Sequence, residues 1–272
     1  MKVEKEEEAE EPVMVEQDLL RFESGKDLPE TIRDEVVVEG QIQLYVNGQH
    51  HTTFLCLTPQ AKELAVGHLV TQGFVAKPSD IKSLMIRGGE VHVTLERKPV
   101  KALLGKPQLI LTSCGSRGLN IPPRLLMRAK KASAYRNFRL NPQIVSKATM
   151  ELNSRALTFR STGGTHAAAL LNGNGEVVAF SEDIGRHNTL DKVIGKAILE
   201  GIDLTRTFLA STGRLTSEMV VKAVYAGVLV MVSISAPTDK AIKIADTAGL
   251  TLVGFARGNR FNVYTHPDRI LF

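Results

Sequence analysis

The stretch from Val228 to Ala256 constrains this chain more than any other, because it reads strand, helix, strand. "VLVMVSI" is a continuous apolar run, as expected of a strand covered on both faces. "TDKAIKIADTAG" has helical spacing and stops at Gly249, a residue type that closes helices in the left-handed conformation. "LTLVGFA" is a second buried strand. Strands joined through a helix in this way lie parallel, since a parallel pair needs a long crossover. The chain therefore holds a partly parallel sheet with helices packed on it, which is the α/β class (α+β overall).

The pattern upstream is different. "VVVEGQIQLYVNGQHHTTFLCL" alternates, with Ile42, Leu44 and Val46 on one face and Asn47-Gly48 as a two-residue hairpin turn. Thr58-Pro59 predicts the opening of a helix with Ala61, Leu64, Ala65, His68 and Leu69 in a stripe. "LMIRGGEVHVTLE" predicts a second hairpin turning at Gly88-Gly89. A helix is expected over 123–135, and another from Asn141-Pro142 with Ile144, Ala148 and Leu152 in line. Strands follow at about 166–171 and 176–181, and Asn188 is placed to cap a helix striped by Leu190, Val193, Ile194, Ala197 and Ile198. "TFLAST" is a strand, 216–226 a helix and "RFNVYTH" a last strand. The resulting division is an acidic tail and lead-in over 1–34, a smaller β-rich domain over 35–120 and a larger three-layer α/β domain over 121–272.

Composition sets limits. The 272 residues are 43% hydrophobic and 23% charged, ordinary for a soluble globular protein. No apolar run approaches the roughly 18–20 residues of a membrane span, so no membrane partner is expected. The start, "MKVEKEEEAEEP", has no apolar centre and reads as a solvated, disordered tail, not a signal peptide. Two cysteines without a secretion signal point to the reducing cytoplasm. The net charge is +5; with two Lys and six Glu the first twelve residues carry −4, which leaves +9 for the rest. That excess suits an anionic ligand. The scattered basic residues and 5% aromatic content show no arginine-aromatic stripe, so nucleic acid is not the expected partner.

Five polar, glycine-containing loops follow expected strands: Ser113–Gly118, Ser161–His166, Glu182–Asn188, Ser211–Thr216 and Arg257–Arg260. Glycine lets backbone N–H groups approach a ligand, and arginine offers a planar fork for phosphate or a guanine edge. A helix opening at Asn188 would aim free N–H groups at an anion, and strand-end loops are where α/β sheets usually hold ligands. Each loop also has a plainer reading. Gly163-Gly164 makes a turn, Arg186 an exposed helix entry; Asp183 caps locally or pairs with Arg186. Asp191 and Lys192 form a solvated first turn, and His68 is a packed histidine. Cys56 in "FLCL" reads as an inert buried thiol. Cys114 differs, with small polar neighbours and Arg117 three residues on, because a nearby cation favours the nucleophilic thiolate. The alternative is a bystander thiol. Zinc, Walker-type and Gly-x-Ser-x-Gly motifs are all missing.

Five blocks in order, "STGGTHAAAL", "EDIGRHNTLDKVIGKA", "STGRLTSEMVVKA", "VSISAPTDKAI" and "GLTLVGFARGNRFNVYTHPDRI", resemble the formate dehydrogenase accessory sulfurtransferases, the FdhD family, from about Glu35 to the C-terminus. The resemblance implies a cytidine-deaminase-like fold with a smaller N-terminal domain and a homodimer. It implies a sulfurtransferase that takes sulfur from a cysteine desulfurase as a cysteine persulfide. The sulfur passes to the molybdenum cofactor, bis(molybdopterin guanine dinucleotide), for formate dehydrogenase. The family's persulfide cysteine maps to Cys114. Its cofactor loop maps to Phe255, Ala256, Arg257, Gly258, Asn259 and Arg260, and the other glycine-containing loops add Gly163, Gly164, His166, Arg186, His187 and Arg214 as cofactor-binding candidates. The family's second loop cysteine is Arg117 here, so a two-cysteine relay within the loop is excluded. A single persulfide carrier and a non-catalytic cofactor chaperone both remain open. The zinc-deaminase chemistry of related folds finds no support, because Ala167-Ala168 follow the histidine where a Glu would be needed.

Overall fold

The computed structural model describes residues 2–5, 12–96 and 138–272. Cys114 with its loop, and the helix expected over 123–135, lie outside the described residues.

A six-stranded sheet forms the centre of the C-terminal half. Its strands are β8 (His166–Asn172), β9 (Val177–Asp183), β10 (Thr207–Ser211), β11 (Val230–Ser233), β12 (Thr251–Arg257) and β13 (Arg260–Thr265), in the order β13-β12-β11-β10-β8-β9. β10, β11 and β12 are mutually parallel, as the strand-helix-strand pattern requires. β8 lies antiparallel between β9 and β10. Three connecting helices, α4 (Arg186–Glu200), α5 (Ser217–Ala226) and α6 (Asp239–Ala248), pack on one face. On the other lie α2 (Pro142–Arg155) and its buried Val145, Ala148 and Leu152. The period-2 alternation of strands explains the split: Ala168, Leu170 and Leu209 face one core, Ala167, Ala169 and Phe208 the other.

A five-stranded sheet lies beyond the helices, in the order β1-β6-β7-β4-β5. It comprises β1 (Lys2–Lys5), β4 (Gly40–Val46), β5 (Gln49–Cys56), β6 (Ile81–Arg87) and β7 (Glu90–Leu95). Its inner residues Ile42, Leu44, Val46, Val91 and Val93 belong to the same hydrophobic cluster as α4, α5 and α6. Between the sheets runs α1 (Ala61–Thr71), packed along α4. Its buried set, Leu64, Ala65, Val66, Gly67, Leu69 and Val70, covers more than one stripe because it is sandwiched. The two halves of the chain therefore share one core.

Local chemistry explains most element ends. Asn141 caps α2 through a bond from Gln143 N–H at 3.1 Å, and Thr238 caps α6. Gly249 closes α6 at φ 69°. Three expectations are corrected. α1 starts at Ala61 behind a left-handed Gln60, two residues after Pro59. α4 opens at Arg186 with Gly185 as its cap, because the Asn188 side chain is committed elsewhere. The loop at Ser161–His166 follows a short helix, α3 (Leu157–Thr162), and not a strand; Glu182 holds the first turn of that helix by accepting from Thr158 and Phe159 N–H.

Residues 1–34 are not simply a tail and lead-in. β2 (Met14–Arg21) and β3 (Glu30–Val37) form a two-stranded hairpin. Arg33 pairs across it with Glu16 and Asp18, both at 3.2 Å, which ties the two strands together by charge. β1 adds in parallel to β6.

Candidate functional site

Strand direction brings the candidate loops together. β9 runs antiparallel to β8 and β8 to β10, so β9, β10, β11 and β12 all point the same way. Their carboxyl ends, with the amino ends of β8 and β13, form one edge of the sheet. The loops 161–166, 182–188, 211–216 and 257–260 all meet that edge, which is where open α/β sheets hold ligands. The amino ends of α4, α5 and α6 point there too, presenting the positive end of each helix dipole.

Specific bonds tie these loops to one another. His166 Nδ1 lies 3.2 Å from Thr212 Oγ1, and Ala167 N–H donates to the same oxygen at 3.0 Å. Ser233 donates to the Gly213 carbonyl at 2.7 Å and Ser235 to the Thr212 carbonyl at 2.9 Å. Arg257 Nε donates to the Ile234 carbonyl at 2.9 Å, which anchors that side chain at the edge. Gly213 lies against Arg186: a Cβ at 213 would come within 2.8 Å of the Arg186 Cβ. Thr212, Ser233 and Ser235 escaped sequence reasoning because a hydroxyl after a strand carries no signal without the strand order.

The candidate residues differ in what they offer. Arg214, Arg257, Gly258, Asn259 and Arg260 are exposed, and Arg257 and Arg260 are register partners across the β12–β13 turn. Gly258 occupies a left-handed turn position, φ 56°. Phe255 is 40% exposed and also left-handed at φ 51°, a strained state for an aromatic residue and a mark of functional loops. Ala256 is buried in the core beneath, so only its backbone can serve a ligand. Gly163 and Gly164 are exposed, and Gly164 fits only because it lacks a Cβ, which would clash with Val37. Arg186 and His187 are half-buried in the first turn of α4. Among the described residues, Arg186 Nε, His187 Nε2 and Thr216 Oγ1 are buried atoms without a hydrogen-bond partner. His187 Nε2 is 3.2 Å from Glu218 Oε2 but without hydrogen-bond geometry. Burial, and then the Arg186 guanidinium, push both His166 and His187 below the usual imidazole range. The edge thus carries permanent cations on arginine and neutral imidazoles beside them.

The remaining polar residues of "EDIGRHNTLDK" turn inward. Asp183 and Lys192, at most 1% exposed, form an ion pair at 2.7 Å. Asp183 accepts from Leu57 N–H, and Lys192 donates to the Leu57 carbonyl at 2.8 Å. Asn188 donates to the Leu55 carbonyl and to Asp183, both at 2.9 Å. Asp191 is bonded by Lys222 Nζ at 2.6 and 2.8 Å, and by the Thr71 hydroxyl at 2.7 Å. Burial would raise the Asp191 carboxyl, but the Lys222 ammonium and His68 outweigh it and hold it at about 2. Neither Asp191 nor Lys192 is on a solvated face, and Asp183 pairs with Lys192, not Arg186. Cys56 is fully buried, and burial with the nearby Asp183 charge pushes its thiol up to about 12. Among the described residues no group of three or more His, Cys, Asp or Glu could hold a metal ion, and no helix is long and apolar enough to cross a membrane.

Residues 37–271 match the FdhD/NarQ family. The chain is 38% identical over 241 residues to the sulfur carrier protein FdhD of Sulfolobus acidocaldarius, covering 87% of this chain and 91% of that one. It is 31% identical over 255 residues to the protein of the same name from Bacillus subtilis, covering 93% and 96%. In three dimensions it resembles a protein from Desulfotalea psychrophila described as a formate dehydrogenase accessory protein. The TM-score is 0.77 at 24% identity, over 96% of this chain and all of that one, a likeness of fold. With its sequence matched from the end of β3 to beyond the last strand, this chain belongs to the FdhD/NarQ family.

Proposed function

We propose that this chain is a sulfur carrier: a persulfide on Cys114 takes sulfur from a cysteine desulfurase and delivers it to the molybdenum cofactor for formate dehydrogenase. The relatives named sulfur carrier protein FdhD support the carrier role. The observation that carries the cofactor reading is the convergence of four loops on one sheet edge, with Arg186, Arg214, Arg257 and Arg260 contributed from three of them. Bis(molybdopterin guanine dinucleotide), here the substrate, presents phosphates and guanine edges. Arginine forks, loop N–H groups and helix amino ends are the donors such a ligand needs. The orphaned Arg186 Nε and Thr216 Oγ1 at this edge fit an acceptor brought by a ligand. Homodimer formation is part of the proposal on family grounds alone.

In the loading step the Cys114 thiolate attacks the outer sulfur of the desulfurase persulfide. The new S–S bond forms on Cys114, and the desulfurase cysteine leaves as thiolate. Arg117 favours the anionic forms before and after transfer.

Incubation with a cysteine desulfurase and cysteine, followed by mass spectrometry, is expected to show the gain of one sulfur atom on Cys114. The Cys114→Ala variant is expected to bind cofactor but fail to activate formate dehydrogenase. If it activates normally, the chain is a non-catalytic cofactor chaperone.

A further inference from the structure

We propose that Thr212 is a positioning residue which holds His166 as a neutral imidazole with its proton on Nε2, leaving a single ring N–H to donate to the ligand at the loop edge. The inference rests on the reading of that edge as the ligand site.

The geometry is set by β8 and β10. Thr212 follows the last residue of β10, and its N–H donates to the Ala167 carbonyl at 3.0 Å. In return its Oγ1 accepts from Ala167 N–H at 3.0 Å. Both peptide groups of Ala167 are thus engaged by one residue, and the hydroxyl is fixed against the start of β8. A hydroxyl has one proton to give. Its two possible acceptors are His166 Nδ1 at 3.2 Å and the Ala167 carbonyl at 3.4 Å. The reverse arrangement, Nδ1–H donating into Oγ1, would send the hydroxyl proton to the 3.4 Å carbonyl, which already takes the Thr212 N–H, so the shorter Nδ1 contact is assigned the proton. Nδ1 then carries the lone pair, and the ring proton sits on Nε2. Partial burial and the nearby Arg186 charge both oppose a second ring proton.

The chemical effect is a division of labour at the edge. Arg186, Arg214, Arg257 and Arg260 attract an anion from any direction. His166 adds no charge and offers one directional donor, matched to one oxygen or nitrogen acceptor of the ligand. Threonine is suited to this task because its hydroxyl accepts and donates at once, which fixes both the rotamer and the tautomer of its neighbour.

The test is ¹⁵N-histidine NMR of the full chain at pH 7 without ligand, with the His166 signals identified by their loss in His166→Gln. The expected spectrum of His166 is that of the neutral Nε2–H tautomer. Thr212→Val should shift it toward a mixture of tautomers, and Thr212→Ser should restore it. Affinity for GDP, the nucleotide half of the guanine dinucleotide, should fall by up to about tenfold in Thr212→Val and recover in Thr212→Ser. An Nδ1–H tautomer or an imidazolium in the wild-type protein overturns the proposal, as does an unchanged His166 spectrum in Thr212→Val. Absence of GDP binding by the wild-type chain would instead overturn the ligand-site reading, and with it the role assigned to the His166 donor, while the ligand-free spectrum still reports on the tautomer itself.

Discussion

Gly67 of α1 and Gly195 of α4 lie back to back where the two helices cross, each packed against the backbone of the other helix. A Cβ on Gly67 would run into the Asp191 carbonyl, and one on Gly195 into the Glu63 carbonyl and to 2.8 Å from Gly67 N. No side chain separates the helices here, so neither can yield without moving a whole element. Gly67→Ala and Gly195→Ala should each cost about 1–3 kcal/mol or more, the range for overpacking a rigid core. Urea titration of the single variants checks this; an unchanged midpoint for either would show that the crossing can relax.

The Asp183–Lys192 pair predicts an asymmetric mutational response. Lys192→Met leaves a buried carboxylate uncompensated and also frees the Leu57 carbonyl, for a loss on the order of 3–5 kcal/mol. Removing both charges, as Asp183→Leu with Lys192→Met, should not return the protein to wild-type stability. The Leu57 N–H and carbonyl would remain buried without their partners. Equilibrium denaturation of the three proteins is the measurement.

Acid should weaken the fold well before Asp191 titrates. Burial, and then the neighbouring His68 and His50, hold His51 down at about 4 against an ordinary 6.5. Between those values the unfolded chain binds a proton that the folded chain refuses, so stability is full above about pH 6.5 and falls as the pH drops toward 4. For this one group, which keeps contact with solvent, the loss after screening is on the order of 1–2 kcal/mol. Asp191, held at about 2, adds a further loss only below about pH 4. Urea midpoints from pH 7.5 to 4.5 should decline in wild type and decline less in His51→Gln.

Thiol labelling should spare Cys56 until the chain unfolds. With its thiol pushed up to about 12, Cys56 is about one part in ten thousand thiolate at pH 8 and has no exposed surface. Iodoacetamide at pH 8 should leave Cys56 unmodified in the native protein and modify it in denaturant. Native labelling of Cys56 at a comparable rate would contradict its burial.

Gly213→Ala should affect binding and folding together. The added methyl meets Arg186 Cβ at 2.8 Å, an atom that moves only with the α4 backbone, and Cδ at 3.0 Å, so the first turn of α4 is displaced together with the arginine stem. Affinity for GDP should fall roughly tenfold, equivalent to about 1.4 kcal/mol. Calorimetric titration at matched salt, and thermal denaturation of the same variant, would show whether both fall.

The sequence made periodic features legible and hid those that depend on partners. The hairpins at Asn47-Gly48 and Gly88-Gly89, the Asn141 and Thr238 caps and the parallel β11–β12 pair all follow from local rules, and all are present. Asp191 and Lys192 look like a solvated turn because nothing near them in sequence reveals Lys222, Thr71 or Leu57. The β2–β3 hairpin escaped because its charges sit on both strands and obscure the alternation. At the candidate site, the residue types pointed to the loops, but only the insertion of β8 between β9 and β10 puts His166 beside Thr212. The three hydroxyl-bearing residues that organise the edge needed coordinates to be noticed.

The shared core has a consequence for how the chain can be divided. Residues 138–272 contain a complete six-stranded sheet, yet the outer surface of α4 in that fragment would be bare where α1 normally lies. Asp183, Asp191, Lys192 and Lys222 would lose their partners at Leu57, Thr71 and His68. Neither half is a transferable module. Split at the interval between β7 and α2, the two pieces should find each other and reconstitute one folded body by complementation, with an affinity set by the α1–α4 seam.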